Sequence, residues 1–265
     1  WQAETKKLRG KFQGQKCFIL ATGPSVRRMD LDKIRLAQRE GCKVFGINSY
    51  VSSDLAKTIP PDCIVLSDPV YLGQPDNPLH EKYYPEFKKD LEVLKTAGSS
   101  VFVPHYWHAF VGQNPLFDPA KTFYFYHVDN FFGGLTGCDI LQPLYYAAMT
   151  AYMGILIAAY MGFSEIYLVG FDEDHVTQIG MNEENQLLIR DRHFYAEAES
   201  IVNKNYSTLL GQGYEEFCIG RLTLTHSHKM IFADTTRLGI RVVNCNPESF
   251  VTCFPKTSEY VAKSR

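Results

Sequence analysis

The sequence predicts an α/β protein built on a Rossmann-like, doubly wound and mostly parallel sheet. Two observations lead to this prediction. Short apolar runs, which suit strands buried on both faces, alternate with helix-like segments along most of the chain. Several of these runs end in polar, turn-forming residues. In parallel α/β sheets, ligands bind beyond the carboxyl ends of the strands, so these ends are the first place to look for a site.

Composition and charge narrow the class of protein. Of 265 residues, 21% are charged and 45% are hydrophobic, which is typical of a globular protein. A formal net charge of −2 argues against a protein that mainly grips a nucleic-acid backbone. Seven scattered cysteines without a CxxC pair indicate a reducing compartment and exclude the usual zinc spacings. We expect a cytoplasmic location, and a basic N-terminal segment leaves a peripheral contact at the inner membrane open.

The first buried strand is predicted at residues 17–21, where the apolar run stops at Thr22-Gly23-Pro24-Ser25. Gly23 allows the backbone to approach a ligand closely, and Pro24 fixes the direction of the exit. Backbone N–H groups in such a turn can hold a phosphate. The turn is neither a P-loop nor a GxGxxG fingerprint, so a plain strand-to-loop connection is the alternative.

Two more strands, at 43–47 and 62–67, alternate with helices at 30–40 and 50–57. Because the carboxyl ends of parallel strands lie along one edge, their polar tips and the first turn are expected to line one nucleotide pocket. The residues at these two tips are Asn48, Ser49, Ser67 and Asp68.

The middle of the chain completes the predicted sheet with strands at 100–103, 123–128 and 165–171. Residues 143–163 carry no charge and are long enough to span a bilayer. They lead directly into a strand and lack basic flanks, so a buried core helix is the prediction.

The last third of the chain changes in character. Residues 176–224 are polar with little strand pattern, which predicts a helical or irregular lid over the strand tips. A helix at 227–237 and a strand at 240–245 return to the core. The predicted divisions are an N-terminal helix (1–15), a nucleotide-binding α/β core (16–175), a lid (176–224), and a return to the core with a tail (225–265). The opening on Trp1 is expected of a chain that continues upstream.

Ionisable residues are densest after the strand at 165–171, in the run Asp172-Glu173-Asp174-His175. An aspartate pair there can hold a divalent cation that bridges phosphates, or the acidic residues can simply cap the next segment.

A second group of chemically useful residues lies in the lid. Here His193, with Arg190 and Arg192 beside it, suits an acid/base or leaving-group role. The other candidate base is His226, which stands two residues before His228. On a strand this pair would share one face, whereas at a helix N-terminus it is ordinary.

Five segments carry a resemblance to a known family. They are FILATGPSVRRMDL, GINS, VLSDP, AAYMGFSEIYLVGFD and GIRVVNCNPES, in that order. Together they resemble bacterial sialyltransferase family 42 and, equally, the wider 6-hydroxymethylpterin diphosphokinase-like proteins of surface-polysaccharide gene clusters. The resemblance covers most of residues 12–255. It implies a glycosyltransferase of modified GT-A type that transfers an acidic sugar from a CMP-activated donor to a glycan or lipid-linked acceptor, with no cofactor required.

The resemblance also implies site residues. The Gly-Pro-Ser turn and the strand tips of the family contact the cytidine nucleotide, and Thr22 stands where the family has asparagine. The matching positions are Gly23, Pro24, Ser25, Asn48, Asp68 (here an aspartate), Gly170 and Asp172. With Thr22, Ser49, Ser67 and Asp174 from the other tips, they make up the predicted nucleotide set.

Two alignments compete for the family's base, which is a histidine in a His-Ser pair. His226-Ser227 matches that dipeptide, whereas HFY at 193–195 matches the family's preceding His-Tyr and leaves Glu197 at the base position. The family's phosphate-binding tyrosines have no clean counterpart, since the first falls on Asp174. Arg190, Arg192 or Tyr195 would then stabilise the leaving phosphate.

Two other functions stay open at this point. The acidic triplet at 172–174 suits an ATP- and magnesium-dependent pterin diphosphokinase-like phosphotransferase. The chain could also be a non-catalytic nucleotide- or glycan-binding module. The expected partners are a nucleotide-sugar donor and a glycan acceptor, with no nucleic acid and with a homo-oligomer left open.

Overall fold

The structure is a computed structural model that describes residues 1–73, 78–127, 137–144, 149–190, 192–194 and 203–262. Eight helices and ten strands lie within these ranges. The helices are α1 (Gln2–Lys6), α2 (Leu31–Arg39), α3 (Asp54–Thr58), α4 (Pro78–Ala97), α5 (His108–Gln113), α6 (Thr150–Tyr160), α7 (Tyr206–Leu210) and α8 (Tyr214–Arg237).

Seven of the strands form a parallel sheet at the centre of the protein. They are β1 (Lys16–Leu20), β2 (Lys43–Ile47), β3 (Cys63–Val65), β4 (Ser100–Pro104), β5 (Thr122–Phe125), β6 (Glu165–Val169) and β10 (Arg241–Asn244). Their order across the sheet is β10-β6-β1-β2-β3-β4-β5, and every neighbouring pair is parallel. The predicted Rossmann-like, doubly wound fold class is confirmed.

Both faces of the sheet are covered by apolar cores. Along β1, Cys17 and Ile19 join one core cluster, while Phe18 and Leu20 join another. This alternation follows from the two-residue period of a strand. It explains why the four residues after the exposed Lys16 are all apolar, because neither face of the strand reaches solvent there.

Helix α6 covers one face and confirms the predicted buried core helix. All eleven of its residues are buried. Gly154 permits close packing on the sheet, since a Cβ there would lie 3.1 Å from Ile47 Cδ1 and 3.3 Å from Ile19 Cγ2. Within the described ranges, no helix has both the length and the apolar character needed to cross a bilayer.

The chain order places a topological switch point beside β1. From β1 the chain builds outwards through β2, β3, β4 and β5, and it then returns to add β6 on the other side of β1. Connections therefore leave β1 and β6 in opposite directions. The crevice outside the carboxyl ends of such a pair is where doubly wound proteins bind ligands.

The segment predicted as a lid has more strand than the sequence indicated. An antiparallel sheet is formed here by three strands, β7 (Ile179–Met181), β8 (Leu187–Arg190) and β9 (Asn203–Asn205). In β8, Leu187 and Ile189 are buried and Leu188 is exposed, which is a two-residue period. The pattern spans only four residues between polar stretches, so the prediction of little strand was wrong here.

The helix predicted at 227–237 begins thirteen residues earlier, at Tyr214, so the boundary between 224 and 225 falls inside α8. The Glu216 carboxylate accepts the Gly213 N–H (2.8 Å), which satisfies a donor at the start of the helix. Threonine hydroxyls, at 223 and 225, donate to carbonyls four residues earlier. The N-terminal helix is shorter than the predicted 1–15, because α1 ends at Lys6 and turns follow.

Candidate functional site

A cavity of about 230 Å³ lies outside the carboxyl ends of the central strands, at the switch point. Its wall is formed by the ends of β1, β2 and β6, by the first turn of α6, and by Arg192 and His193. The lining residues include Thr22, Gly23, Pro24, Asn48, Thr150, Gly170, Asp172, Glu173, Asp174, His175, Gln178, Arg192 and His193.

The turns after β1 and β6 touch each other at two glycines. Gly23 N–H donates to the Gly170 carbonyl (3.2 Å), and a Cβ on Gly23 would overlap that carbonyl and lie 2.6 Å from Asp172 Oδ2. Gly170 has a φ of +76°, where a side chain is strained, and its Cβ would lie 2.8 Å from the Ala21 carbonyl. Glycine is required at both positions, as the sequence predicted for the first.

Asp172 ties these two turns together. Its Oδ2 accepts the Ser25 backbone N–H (2.8 Å), and its Oδ1 accepts the Ser25 hydroxyl and the Asn246 side-chain amide (2.8 Å). Both carboxylate oxygens are therefore bonded to protein groups in a buried position. The hydrogen bonds from Ser25 to Asp172 therefore fix the Gly-Pro-Ser turn against the end of β6.

Asn48 reaches the cavity through an unusual backbone conformation. Its φ is +47°, and its Nδ2 donates to Thr150 Oγ1 (3.2 Å) at the start of α6. Thr150 Oγ1 also hydrogen-bonds Ser67 Oγ (2.6 Å). The tips of β2 and β3 are thus joined to α6, with Asn48 on the cavity wall.

Four residues of the predicted nucleotide set are not among the lining residues: Ser25, Ser49, Ser67 and Asp68. Ser25 is buried and bonds Asp172, as described above. Ser67 bonds Thr150 instead, and Ser49 donates to the buried Asp90 of α4 (2.8 Å). Asp68 accepts the Val70 N–H (3.0 Å) and caps the turn that follows β3. Polar residues at a strand tip also serve to anchor the next segment, and sequence alone did not separate the two uses.

Residues 192–194 are held against the turn after β1. Phe194 N–H donates to the Thr22 carbonyl (2.9 Å), and Arg27 Nε donates to the Phe194 carbonyl (2.7 Å). The Phe194 ring also lies 6.2 Å from that of Tyr50. These contacts bring Arg192 and His193 to the cavity, whereas Tyr195 and Glu197 lie outside the described residues.

His226 does not reach the cavity. It lies exposed in the middle of α8, so the strand and helix-start alternatives for the histidine pair were both wrong. His228 is buried, and its Nε2 shares a hydrogen bond with the Tyr152 hydroxyl. Burial lowers the pKa of His228 to about 4, with Arg221 contributing. Arg190 ends β8 and is likewise not a lining residue.

Glu173 is a feature that the sequence reading did not separate from its acidic neighbours. Its φ is +52°, and its side chain is 8% exposed. One oxygen, Oε2, accepts from Arg221 Nη1 (3.3 Å), while Oε1 is buried without a hydrogen-bond partner. Burial raises the pKa of Glu173 despite the attraction of His175 and Arg221. Arg221 belongs to α8 and is 48 residues from Glu173 in the sequence, so no local pattern predicted that the two would pair.

Three lining residues carry a buried oxygen without a hydrogen-bond partner: Asn48 Oδ1, Glu173 Oε1 and Gln178 Oε1. Buried acceptors are normally satisfied in folded proteins. Their grouping around one cavity suits a ligand with several N–H or O–H donors. Within the described residues, no three His, Cys, Asp or Glu side chains are arranged to hold a metal ion.

Fold and site together define a doubly wound, Rossmann-like α/β protein with a cavity of mixed polar and apolar lining at the switch point of its sheet. No protein-family model and no curated protein matches the chain. Among solved structures it is similar to the sialyltransferase CstII from Campylobacter jejuni in complex with the substrate analogue CMP-3FNeuAc. That match has 14% identity and a TM-score of 0.47, and it covers 93% of this chain and 87% of CstII.

Two further structures give comparable matches. The MAf glycosyltransferase from Magnetospirillum magneticum AMB-1 is 12% identical with a TM-score of 0.47, over 96% of this chain and 37% of that one. An alpha-2,3-sialyltransferase from Campylobacter jejuni is 14% identical with a TM-score of 0.45, over 94% and 83%. Likenesses of this size assign no activity, so function has to be inferred from the site and the sequence motifs.

Proposed function

We propose that the protein is a glycosyltransferase that moves a sugar from a CMP-activated donor to a glycan or lipid-linked acceptor. The sugar is acidic and resembles sialic acid. The observation that supports this most is the convergence of the β1, β2 and β6 ends with Arg192 and His193 on one cavity. Three of the five segments that resemble family 42 lie at these strand ends.

The phosphate of the donor has two complementary surfaces. The first turn of α6, where Thr150 and Ala151 line the cavity, offers backbone N–H groups, and the positive end of the α6 dipole favours an anion. Arg192 and His193 also line the cavity. Cationic and N–H donors around the departing nucleoside phosphate would stabilise the charge that develops on it.

The nucleoside has complementary acceptors. The Asn48 and Gln178 side-chain oxygens are unsatisfied. Ribose hydroxyls and the exocyclic amino group of cytosine are donors of the required kind. No metal is assigned a role in this scheme. Magnesium belongs to the alternative phosphotransferase, and no observation at the cavity favours that alternative.

Calorimetric titration with CMP, UDP, GDP and ATP, each with and without EDTA, tests the proposal. We expect CMP to bind preferentially and the chelator to leave its affinity unchanged. Equal affinity for all four nucleotides, or binding of ATP alone with a strict magnesium requirement, would contradict the proposed donor. CMP release from CMP-N-acetylneuraminic acid then measures turnover with water as the acceptor.

A further inference from the structure

The carboxylate of Glu173 has features that none of the other acid/base candidates combines. It belongs to a lining residue, and its side chain is 92% buried, the complement of its 8% exposure. One oxygen is held by Arg221, and the other has no partner. Its backbone lies in the left-handed region, which is uncommon for a residue other than glycine and is found at functional sites.

Four other candidates are already engaged or too distant, and His193 is assigned to the leaving phosphate in the proposed function. Both oxygens of Asp172 bond protein groups, as described above. His228 is committed to Tyr152, and His226 lies exposed on α8. His175 Nδ1 lies 3.2 Å from Arg221 Nη1. Because a guanidinium has no acceptor, this nitrogen must accept, so it is not the atom that takes a proton from a substrate.

We propose that Glu173 is the general base of the transfer reaction. This inference rests on the proposed function. Glu173 Oε1 takes the proton of the acceptor hydroxyl as its oxygen forms a bond to the anomeric carbon. The bond from that carbon to the phosphate oxygen of the donor breaks, and CMP leaves with the electron pair. A single displacement of this kind inverts the configuration at the anomeric carbon.

The groups around Glu173 set the pH range in which it works. Burial is the largest influence and raises its pKa above the ordinary 4.5, and Asp174 and Asp172 act in the same direction. His175 and Arg221 act in the opposite direction. A base must be ionised, so activity should rise with pH through the raised pKa of this carboxyl. Arg221 keeps Oε2 paired and leaves Oε1 for the substrate.

The test compares Glu173→Gln with Glu183→Gln, the same change at an exposed residue of the β7–β8 turn. We measure CMP binding by calorimetry and CMP release from CMP-N-acetylneuraminic acid between pH 4.5 and 8.5. Glu173→Gln should bind CMP within about twofold of the unmodified protein but release it 10²–10⁴-fold more slowly, the usual contribution of a general base. The rise of activity with pH should disappear. Added formate should partly restore turnover in Glu173→Ala, which a purely structural role would not allow.

The outcomes separate the two proposals. If Glu173→Gln keeps both its turnover and the acidic limb of the pH profile, Glu173 is not the base, while the donor assignment stands. If the same variant loses CMP binding together with turnover, and formate restores nothing, the base role is also refuted. If the unmodified protein neither binds CMP nor releases it from the donor, the proposed function fails and this inference fails with it.

Discussion

The Asp172 carboxylate accepts both the backbone N–H and the hydroxyl of Ser25, a residue 147 positions earlier in the chain. This pair joins the ends of β1 and β6, the two strands on either side of the switch point. A buried carboxylate that bonds the turn therefore fixes this part of the cavity wall. Asp172 acts on the site through Ser25.

Asp172→Asn replaces one acceptor oxygen by a donor and leaves at least one buried partner unsatisfied. We expect it to lower the free energy of unfolding by about 1–3 kcal/mol and to weaken CMP binding at least tenfold. Urea unfolding and calorimetry measure the two effects. Asp32→Asn, at an aspartate whose side chain is 85% exposed, should change neither by more than about 0.5 kcal/mol. Unchanged CMP affinity in Asp172→Asn would show that CMP binding does not depend on the hydrogen bonds between Asp172 and Ser25.

Gly23→Ala introduces a methyl group that would overlap the Gly170 carbonyl and crowd Asp172. The two turns must then separate, so we expect CMP binding to fall below detection and stability to drop. Gly220→Ala in α8 is the matched control, because a Cβ there meets nothing within 4 Å. Alanine in a helix interior should stabilise the protein by roughly 0.5–1 kcal/mol. Full CMP affinity in Gly23→Ala would refute the close approach of the turns.

Because His228 is buried with a lowered pKa, we expect it to make the free energy of unfolding fall in acid. Its pKa is about 4 in the folded protein and about 6.5 when unfolded, so the unfolded chain binds the extra proton between these values. Stability is full above pH 6.5 and is lost as the pH falls towards 4. The loss between pH 7 and pH 5 should be about 2 kcal/mol. In His228→Gln that loss should largely disappear, while His226→Gln, an exposed position on the same helix, should retain it. Equal pH slopes in urea unfolding would contradict the assignment.

His193 and His226 differ in their position relative to the cavity. His193 lines the cavity and His226 lies exposed outside it. We expect His193→Ala to lower CMP release from the donor at least tenfold and His226→Ala to leave it within about twofold. Comparable losses in the two variants would mean that α8 approaches the site during turnover. Circular dichroism spectra of both variants control for loss of the fold.

The sheet was predictable because each of its strands is apolar on both faces, and β1, β2 and β6 end in turn residues that identify the cavity wall. The glycine and aspartate positions of the site follow from those ends. Ser49 and Ser67 have the same polar character, but their partners Asp90 and Thr150 are distant in sequence. The same reason hid Arg221 beside Glu173. Asp68 is polar too, but it caps its own turn by accepting the Val70 N–H. Local pattern identifies which residues stand at a tip, and tertiary packing decides which of them face the ligand.

The central claim about this protein is that a cytidine nucleotide binds in the cavity at the switch point. A crystal structure of the protein soaked in an equimolar mixture of CMP, UMP, GMP and AMP tests this directly. We predict that CMP alone occupies the site, with its phosphate hydrogen-bonded to the first turn of α6 and to Arg192 or His193. Density for a purine nucleotide there, or a nucleotide bound only elsewhere on the protein, would contradict it.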